Sequence, residues 1–342
     1  MTATHPDTER RAGSLLIAGV PVDDVDMDQA MDEIWEFVRR GRAQQRTFQV
    51  ATVNVDFVVN AILDPVVARV LRSTALSIPD GMPLVWGVRL LGGRLRTRVA
   101  GADLVPLMCE RAAQDGTRIA LIGAGPGVAD RAASLLRERS PGLDIIATQG
   151  PSFHHLDDVT QADIEHLRTL DADIGCFAFG HPKQDLFIER FASELSIPLM
   201  IGVGGSLDFL VGEQRRAPRW MQRTGLEWLH RAATDPRRLV GRYARDFRVF
   251  GPALVRQARV GRATSEGGTV SVDSTSGPEI VVDLAKAGTP TNGIAHEIAT
   301  VSRLAALDDR LVEFVGLEQV DLGRIHGLAQ LVAVHASAAG DR

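Results

Sequence analysis

The 342-residue chain is 45% apolar with a formal net charge of −5. That length and apolar content provide for a real core and exclude general disorder, and the charge excludes a dedicated nucleic-acid binder, which needs a cationic face. The two cysteines, Cys109 and Cys176, each sit beside apolar residues and read as buried thiols in a reducing compartment. No run of eighteen apolar residues occurs, so no segment is expected to span a bilayer. The polar start, MTATHPDTERRAGS, lacks the apolar stretch of a signal peptide, and a cytoplasmic location is the expectation.

After residues 1–14, read as flexible, SLLIAGVPVD predicts a short strand and turn. MDQAMDEIWEFVRRG predicts a helix ended by Gly41, with Met31, Ile34, Trp35 and Val38 on one face and Arg39 and Arg40 in the last turn. FQVATV alternates weakly as a strand whose end carries Thr52, Asn54 and Asp56, and helical spacing resumes through Phe57, Ala61 and Ile62. Polar groups at such a junction either touch a ligand or cap the helix through Asn54 or Asp56. The helix PVVARVLRSTA leads to LSIPDGMPLVWGVRLLGG, which sets Asp80 between Pro79 and Gly81. Pro-Asp-Gly is ordinarily a turn. Here apolar sequence on both sides puts the carboxylate at a core edge, where partial burial raises its proton affinity and suits it to act as a general base.

RVAGADLVPLMCERAAQDG reads as a loop and a helix carrying Leu104, Leu107, Met108 and Ala112. RIALIGAGPGVADRAASLLRERSPGLDIIATQG is the plainest βαβ unit in the chain. Its Gly123, Gly125 and Gly127 approach a dinucleotide fingerprint, but Pro126 departs from the pattern and the next strand ends in Gln149 rather than a ribose-binding acid. Support for a nicotinamide cofactor is therefore weak; the loop either receives the nucleotide or diphosphate of another ligand or is a structural turn. His154 and His155 are adjacent and read as loop or helix-start residues, not metal ligands. The pairs Asp24/Asp26, Asp26/Asp28 and Asp171/Asp173 do not end an apolar strand in the way a nucleotide-metal clamp does.

The stretch from Gly180 to Glu227 organises the chain. The strand CFAF runs into a glycine turn followed by Lys183, Gln184 and Asp185 on an amphipathic helix, and the strand PLMIGVGG delivers Gly204 and Gly205 just before Asp208. Two such transitions are what an open α/β sheet offers at the carboxyl edge of its strands, with backbone N–H groups that an anion could use. From Arg215 to Arg262 thirteen arginines face three acids, interleaved with Trp220, Trp228, Tyr243, Phe247 and Phe250. Such a face suits anionic phosphates beside an apolar partner, including a membrane surface, although arginines also form ordinary solvated helix faces. Arg231, Arg238 and Arg242 are spaced by seven and four residues, with Pro236 interrupting the run. A polar linker follows. The tail from Gly268 to Arg342 reverses the charge, with ten acids and five bases, and is predicted as IVVDLAKA, a helix over IAHEIATVSRLAALDDRLVEFV and a shorter helix in HGLAQLVAVHASA. It could fold as a small α/β module, pair with the cationic surface or bind another protein.

The predicted fold is α/β: a Rossmann-like open, mostly parallel sheet with flanking helices over residues 15–212, an arginine-rich helical segment over 213–262, a linker over 263–278 and a small acidic α/β module over 279–342. Thr52-x-Asn54, Asp56-Phe57-Val58-Val59, Pro79-Asp80-Gly81-Met82-Pro83, Ala100-Gly101-Ala102-Asp103-Leu104, Gly180-x-Pro182-Lys183-Gln184, Gly202-Val203-Gly204-Gly205-x-x-Asp208, Arg216-Ala217-Pro218 and Gly225-Leu226-Glu227-Trp228 occur in one order. Over residues 15 to 250 they resemble the WecG/TagA/CpsF glycosyltransferase family. The tail's VDLA strand and helices faintly resemble a sulfate-transporter and anti-sigma-antagonist (STAS) domain, which implies no catalytic residue.

The family resemblance implies inverting, metal-independent transfer of a hexose or N-acetylhexosamine from a UDP-sugar to a polyprenyl-diphosphate-linked sugar in cell-surface polysaccharide synthesis, at the inner face of the cell membrane. It implies no cofactor beyond the donor. It implies Asp80 as base, Thr52 and Gln184 as catalytic neighbours, and Arg231, Arg238 and, less closely matched, Arg242 on the acceptor diphosphate. Asn54, Gly123, Gly125, Gly127, Lys183, Gly204, Gly205 and Asp208 are then candidates for the UDP-sugar. Asp185 stands where the motif usually has Glu, His181 fills a variable position, and the acidic tail is additional to the family core. Homo-oligomerisation and a protein partner for the tail stay open. The competing readings are a non-catalytic sugar-nucleotide sensor or envelope-synthesis scaffold, and an NAD-dependent oxidoreductase.

Overall fold

The computed structural model describes residues 13–214, 216–260, 271–273, 279–284, 291–308, 311–315, 317, 320 and 322–337. The chain opens with an antiparallel hairpin, β1 (Ser14–Ile17) and β2 (Val20–Asp23). Helix α1 (Met27–Gln44) starts on a capping box made by Asp26 and Gln29 and ends at a left-handed Gln45. Gly41 therefore does not stop the helix as predicted. A Cβ there would lie 2.8 Å from Pro198, so the missing side chain serves close packing within the helix.

Next come β3 (Phe48–Val53), α2 (Val55–Leu63), α3 (Pro65–Ser73), β4 (Leu76–Pro79), α4 (Met82–Leu90) and α5 (Gly101–Asp115). The βαβ unit is β5 (Ile119–Gly123), α6 (Val128–Arg139) and β6 (Ile145–Thr148), followed by α7 (Gln161–Arg168), β7 (Ile174–Ala178), α8 (Lys183–Leu195), β8 (Leu199–Gly202) and α9 (Ser206–Leu210). Strands β3 to β8 make one six-stranded sheet in the order β4-β3-β8-β7-β5-β6, every neighbouring pair parallel. Successive strand residues face opposite sides, so both faces are covered. Val50, Leu121 and Ile201 pack with α1, α5 and α6, while Ala51 and Val53 meet α2, α3 and α4, and Ile122 and Met200 meet α7 and α8. Phe37 stacks on Phe48 at 5.0 Å, and burying one such side chain contributes ~1.5–3 kcal/mol. Cys109 and Cys176 are free, buried thiols, and burial pushes Cys109 up to about 12.

The arginine-rich segment forms α10 (Arg219–Thr224), α11 (Glu227–Thr234) and α12 (Pro236–Ala258). Pro236 opens α12, where its missing N–H costs nothing, so the run is split cleanly between two helices.

The tail folds as β9 (Ser271–Asp273), β10 (Glu279–Asp283), α13 (Asn292–Leu307), β11 (Leu311–Val315) and α14 (Leu328–Ser337), with sheet order β11-β10-β9. The single long helix predicted for its centre is corrected: α13 ends at Leu307, and LVEFV is a strand parallel to β10. Its β-branched and aromatic residues fit a pleated surface better than a helix. Ser271–Asp273 pairs as a strand inside the predicted linker, most of which lies outside the described residues. The module docks through α13 on β1, with Leu16 buried among Ile280, Ile294 and Ile298. Gln257 at the end of α12 bonds to the Ala18 N–H at 2.7 Å, the Leu16 carbonyl at 2.9 Å and Asn292 at 3.2 Å.

Candidate active site

Strands β3 to β4 and β5 to β6 step outward in opposite directions along the sheet, and their loops part at the carboxyl edge. A cavity of about 830 Å³ opens there, the size of a small-molecule site.

Asp80 lies on its wall just beyond β4, its N–H donating to the Val53 carbonyl at 2.7 Å. Gly81 follows at φ +136, a backbone that side-chained residues rarely adopt, and lets the chain turn directly into α4. Burial pushes the Asp80 carboxyl up to about 6; Arg98 and Arg231 pull it down, while Glu227 and Asp103 add to the rise. The carboxylate is thus buried enough to hold a proton near neutral pH and close enough to two guanidinium groups to give it up.

Gln184, at the start of α8 and buried, clasps the two glycine turns: its Oε1 accepts from Gly180 N–H and Gly204 N–H, each at 3.1 Å. A Cβ on Gly202 would strike its amide at 2.3 Å, which is why that strand must end in glycine. Thr52 donates its hydroxyl to the Gly202 carbonyl at 3.0 Å, and Asn54 caps α2 by accepting from Asp56 N–H at 2.9 Å. Both also line the cavity, so Asn54 is at once a helix cap and a wall residue. Gly123, Gly125, Lys183, Gly204, Gly205 and Asp208 line it too.

Two expectations need correction. Gly127 is not on the cavity wall; it is the left-handed N-cap of α6. The Gly204 N–H is taken by Gln184 rather than held open for an anion, as is the Ala124 N–H by Ala178. Lys183 donates to the Phe153 carbonyl at 3.0 Å and so fastens the loop after β6. Lys183 keeps its charge on the cavity wall, and arginine adds more. Arg231 lies over the Phe209 ring at 5.1 Å and Arg242 over Tyr243 at 5.3 Å, both on the cavity wall with a buried Nε that has no hydrogen-bond partner. Arg238 belongs to α12, but its side chain lies outside the described residues.

Sequence reasoning gave no role to the ion pairs that frame the cleft. Arg98 meets Glu227 at 2.7 Å, which fixes the first turn of α11 and with it Arg231 one turn on. Arg216 grips Asp103 through two contacts of 2.5 and 3.0 Å. Arg245 bridges Asp56 on α2 and Asp246 on α12, bringing α12 over the cleft. Asp56, Asp103, Arg216 and Glu227 stand inside the quoted motifs and were the available signal, but the arginine or carboxylate that each one meets lies more than a hundred residues away. Among the described residues no group of three or more His, Cys, Asp or Glu is placed to hold a metal ion, and no described helix is long and apolar enough to cross a membrane.

An open parallel sheet with a carboxylate and guanidinium groups in a cleft at its carboxyl edge defines a Rossmann-like protein with a candidate small-molecule site there. More narrowly, the chain belongs to the Glycosyl transferase WecG/TagA/CpsF family, which it matches over residues 15–264. It is 32% identical over 187 residues to the N-acetylglucosaminyldiphosphoundecaprenol N-acetyl-beta-D-mannosaminyltransferase of Bacillus subtilis (strain 168), covering 55% of this chain and 72% of that one. To the protein of the same name from Bacillus spizizenii it is 29% identical over 189 residues, again 55% and 72%. The family match ends before the acidic module and gives no support to a STAS-like tail.

Proposed function

We propose that this protein transfers a hexose or N-acetylhexosamine, with inversion and without a metal, from a UDP-sugar to a polyprenyl-diphosphate-linked sugar. The observation that carries this reading is the Asp80 carboxyl, raised to about 6 on the cavity wall with Arg98 and Arg231 beside it. The acceptor hydroxyl attacks the anomeric carbon as the bond from that carbon to the diphosphate oxygen breaks. Asp80 takes the hydroxyl proton, and the bonding pair leaves with UDP. Arg231 and Arg242 would meet diphosphate charge, with Gln184 and Thr52 holding the glycine turns in place as positioning residues rather than touching the reacting atoms. The names of the two Bacillus relatives support a diphosphoundecaprenol-linked acceptor. Exposed Trp220, Trp228, Leu229, Val240 and Phe247 among the arginines support peripheral docking on an anionic membrane face.

The test offers the protein a panel of UDP-sugars with a short-chain polyprenyl-diphosphate-linked N-acetylglucosamine, with and without EDTA, and reads products by mass spectrometry. A disaccharide on the lipid, undiminished by EDTA, is the expected result; UDP-sugar left intact with every acceptor overturns the reading.

A further inference from the structure

The cleft holds one more pair of ionisable side chains, to which nothing above gives a role. His181, in the turn after β7, places its Nδ1 2.8 Å from the Asp185 carboxylate one helical turn on, and the two side chains are 4% and 1% exposed. The imidazole lies flat on Phe57 of α2, ring centres 3.6 Å apart and planes inclined by 15°. Phe57 and His181 both line the cavity. His181 Nε2 and Asp185 Oδ1 are buried and have no hydrogen-bond partner. When Nδ1 carries the only ring proton and donates it to the Asp185 carboxylate, Nε2 is an acceptor. A pair kept for packing alone would have both outer atoms met, since unmet buried acceptors are unfavourable. An acceptor on the wall of a ligand cavity calls for a hydroxyl.

We propose that His181, oriented by Asp185, accepts a hydrogen bond from a hydroxyl of the nucleotide-sugar donor and so helps set donor specificity, an inference that rests on the glycosyltransferase reading. Strand β7 stands three places from β4 in the sheet, roughly 14 Å at ordinary strand spacing. Asp80 and His181 line the same cavity, so a donor with its anomeric carbon at Asp80 and its length along this edge can bring a hydroxyl to His181. The hydroxyl belongs to the ribose or to the hexose, and the two are separable by experiment. Asp185 is a positioning residue: it fixes which ring nitrogen carries the proton.

The test is calorimetric titration of UDP, UDP-glucose and UDP-N-acetylglucosamine into wild type, His181→Phe, His181→Gln and Asp185→Asn, with a thermal melt of each. His181→Phe keeps the stack on Phe57 and removes the acceptor, so UDP-sugar affinity should fall by about 3–10-fold. His181→Gln restores an acceptor and should recover part of the loss. Asp185→Asn permits the opposite tautomer and should weaken binding similarly. Equal loss for UDP and the UDP-sugars assigns the contact to the ribose; loss for the UDP-sugars alone assigns it to the hexose. If His181→Phe binds every ligand within about twofold of wild type, the pair is structural and the proposal falls. If His181→Phe does not fold, His181→Gln and Asp185→Asn decide: wild-type affinity in Asp185→Asn overturns the orientation, and weakening in both, the smaller in His181→Gln, supports it. A wild-type protein that binds no UDP-sugar removes the glycosyltransferase reading itself, a result distinct from an unaffected variant.

Discussion

The two ends of β4 bury charge in opposite ways. At its amino end, Arg303 of the C-terminal module donates to Thr74 Oγ1 at 2.9 Å and Ser77 Oγ at 3.0 Å and lies 3.6 Å from Asp23. Asp23 also accepts from Ser77 N–H at 2.6 Å and from the Ser14 hydroxyl. Apart from the Arg303 Nε, that network is closed. At the carboxyl end, Asp80 faces two guanidinium groups across an open cavity and holds its proton up to about pH 6. A buried charge with its partners supplied acts as a lock, whereas one left partly unmet has a shifted proton affinity and capacity for a ligand.

The strongest way to break this comparison is at the open end. Asp80→Asn should lower turnover by about 10²–10⁴-fold, the usual worth of a general base. In wild type, activity should rise with pH through about 6 and then level, because the base acts as carboxylate. Initial rates across pH 5–8 (roughly, the range bracketing that midpoint) check both, and a flat profile would remove Asp80 from proton transfer.

At the closed end, Arg303→Met strands the Asp23 carboxylate and should cost about 3–5 kcal/mol in denaturant titration, with activity per folded molecule retained. Adding Asp23→Asn should restore part of the loss. Unchanged stability in the single variant would mean that the network is not a lock.

A smaller effect concerns the stability of Asp80 itself. Its folded carboxyl is raised from 3.8 to about 6, so the folded state binds more protons than the unfolded one between those values and stability falls as pH rises through them. Asp80→Asn should therefore be more stable than wild type by about 1–3 kcal/mol near pH 8. The gain should vanish below about pH 4, where both states are protonated. Paired melts at the two pH values read this directly. The smallest effect sharpens the electrostatics: Glu227→Gln removes a charge that raises the Asp80 proton affinity and releases Arg98 from its pair, so the rising limb of the pH profile should move to lower pH.

Much of the scaffold was legible in the residues. Short apolar strands followed by glycine turns announced the parallel sheet, and the Pro-Asp-Gly turn between apolar segments flagged a carboxylate at a core edge. The misreadings share a cause. Gly41 reads as a helix stop until Pro198 is packed against it, and LVEFV continues an apolar helical spacing until β10 is there to pair with it.

The amino-acid sequence by itself determined the strands, the turns and the chemical types brought to the carboxyl edge, because these follow from local periodicity and backbone freedom. Only the tertiary structure decided which of those groups are spent on one another and which face the cavity. Glu227 reaches Arg98, Arg216 reaches Asp103 and Arg303 reaches Asp23 across more than a hundred residues of chain. Desolvation and ion pairing depend on such neighbours in space, and they alone separate a structural charge from a working one.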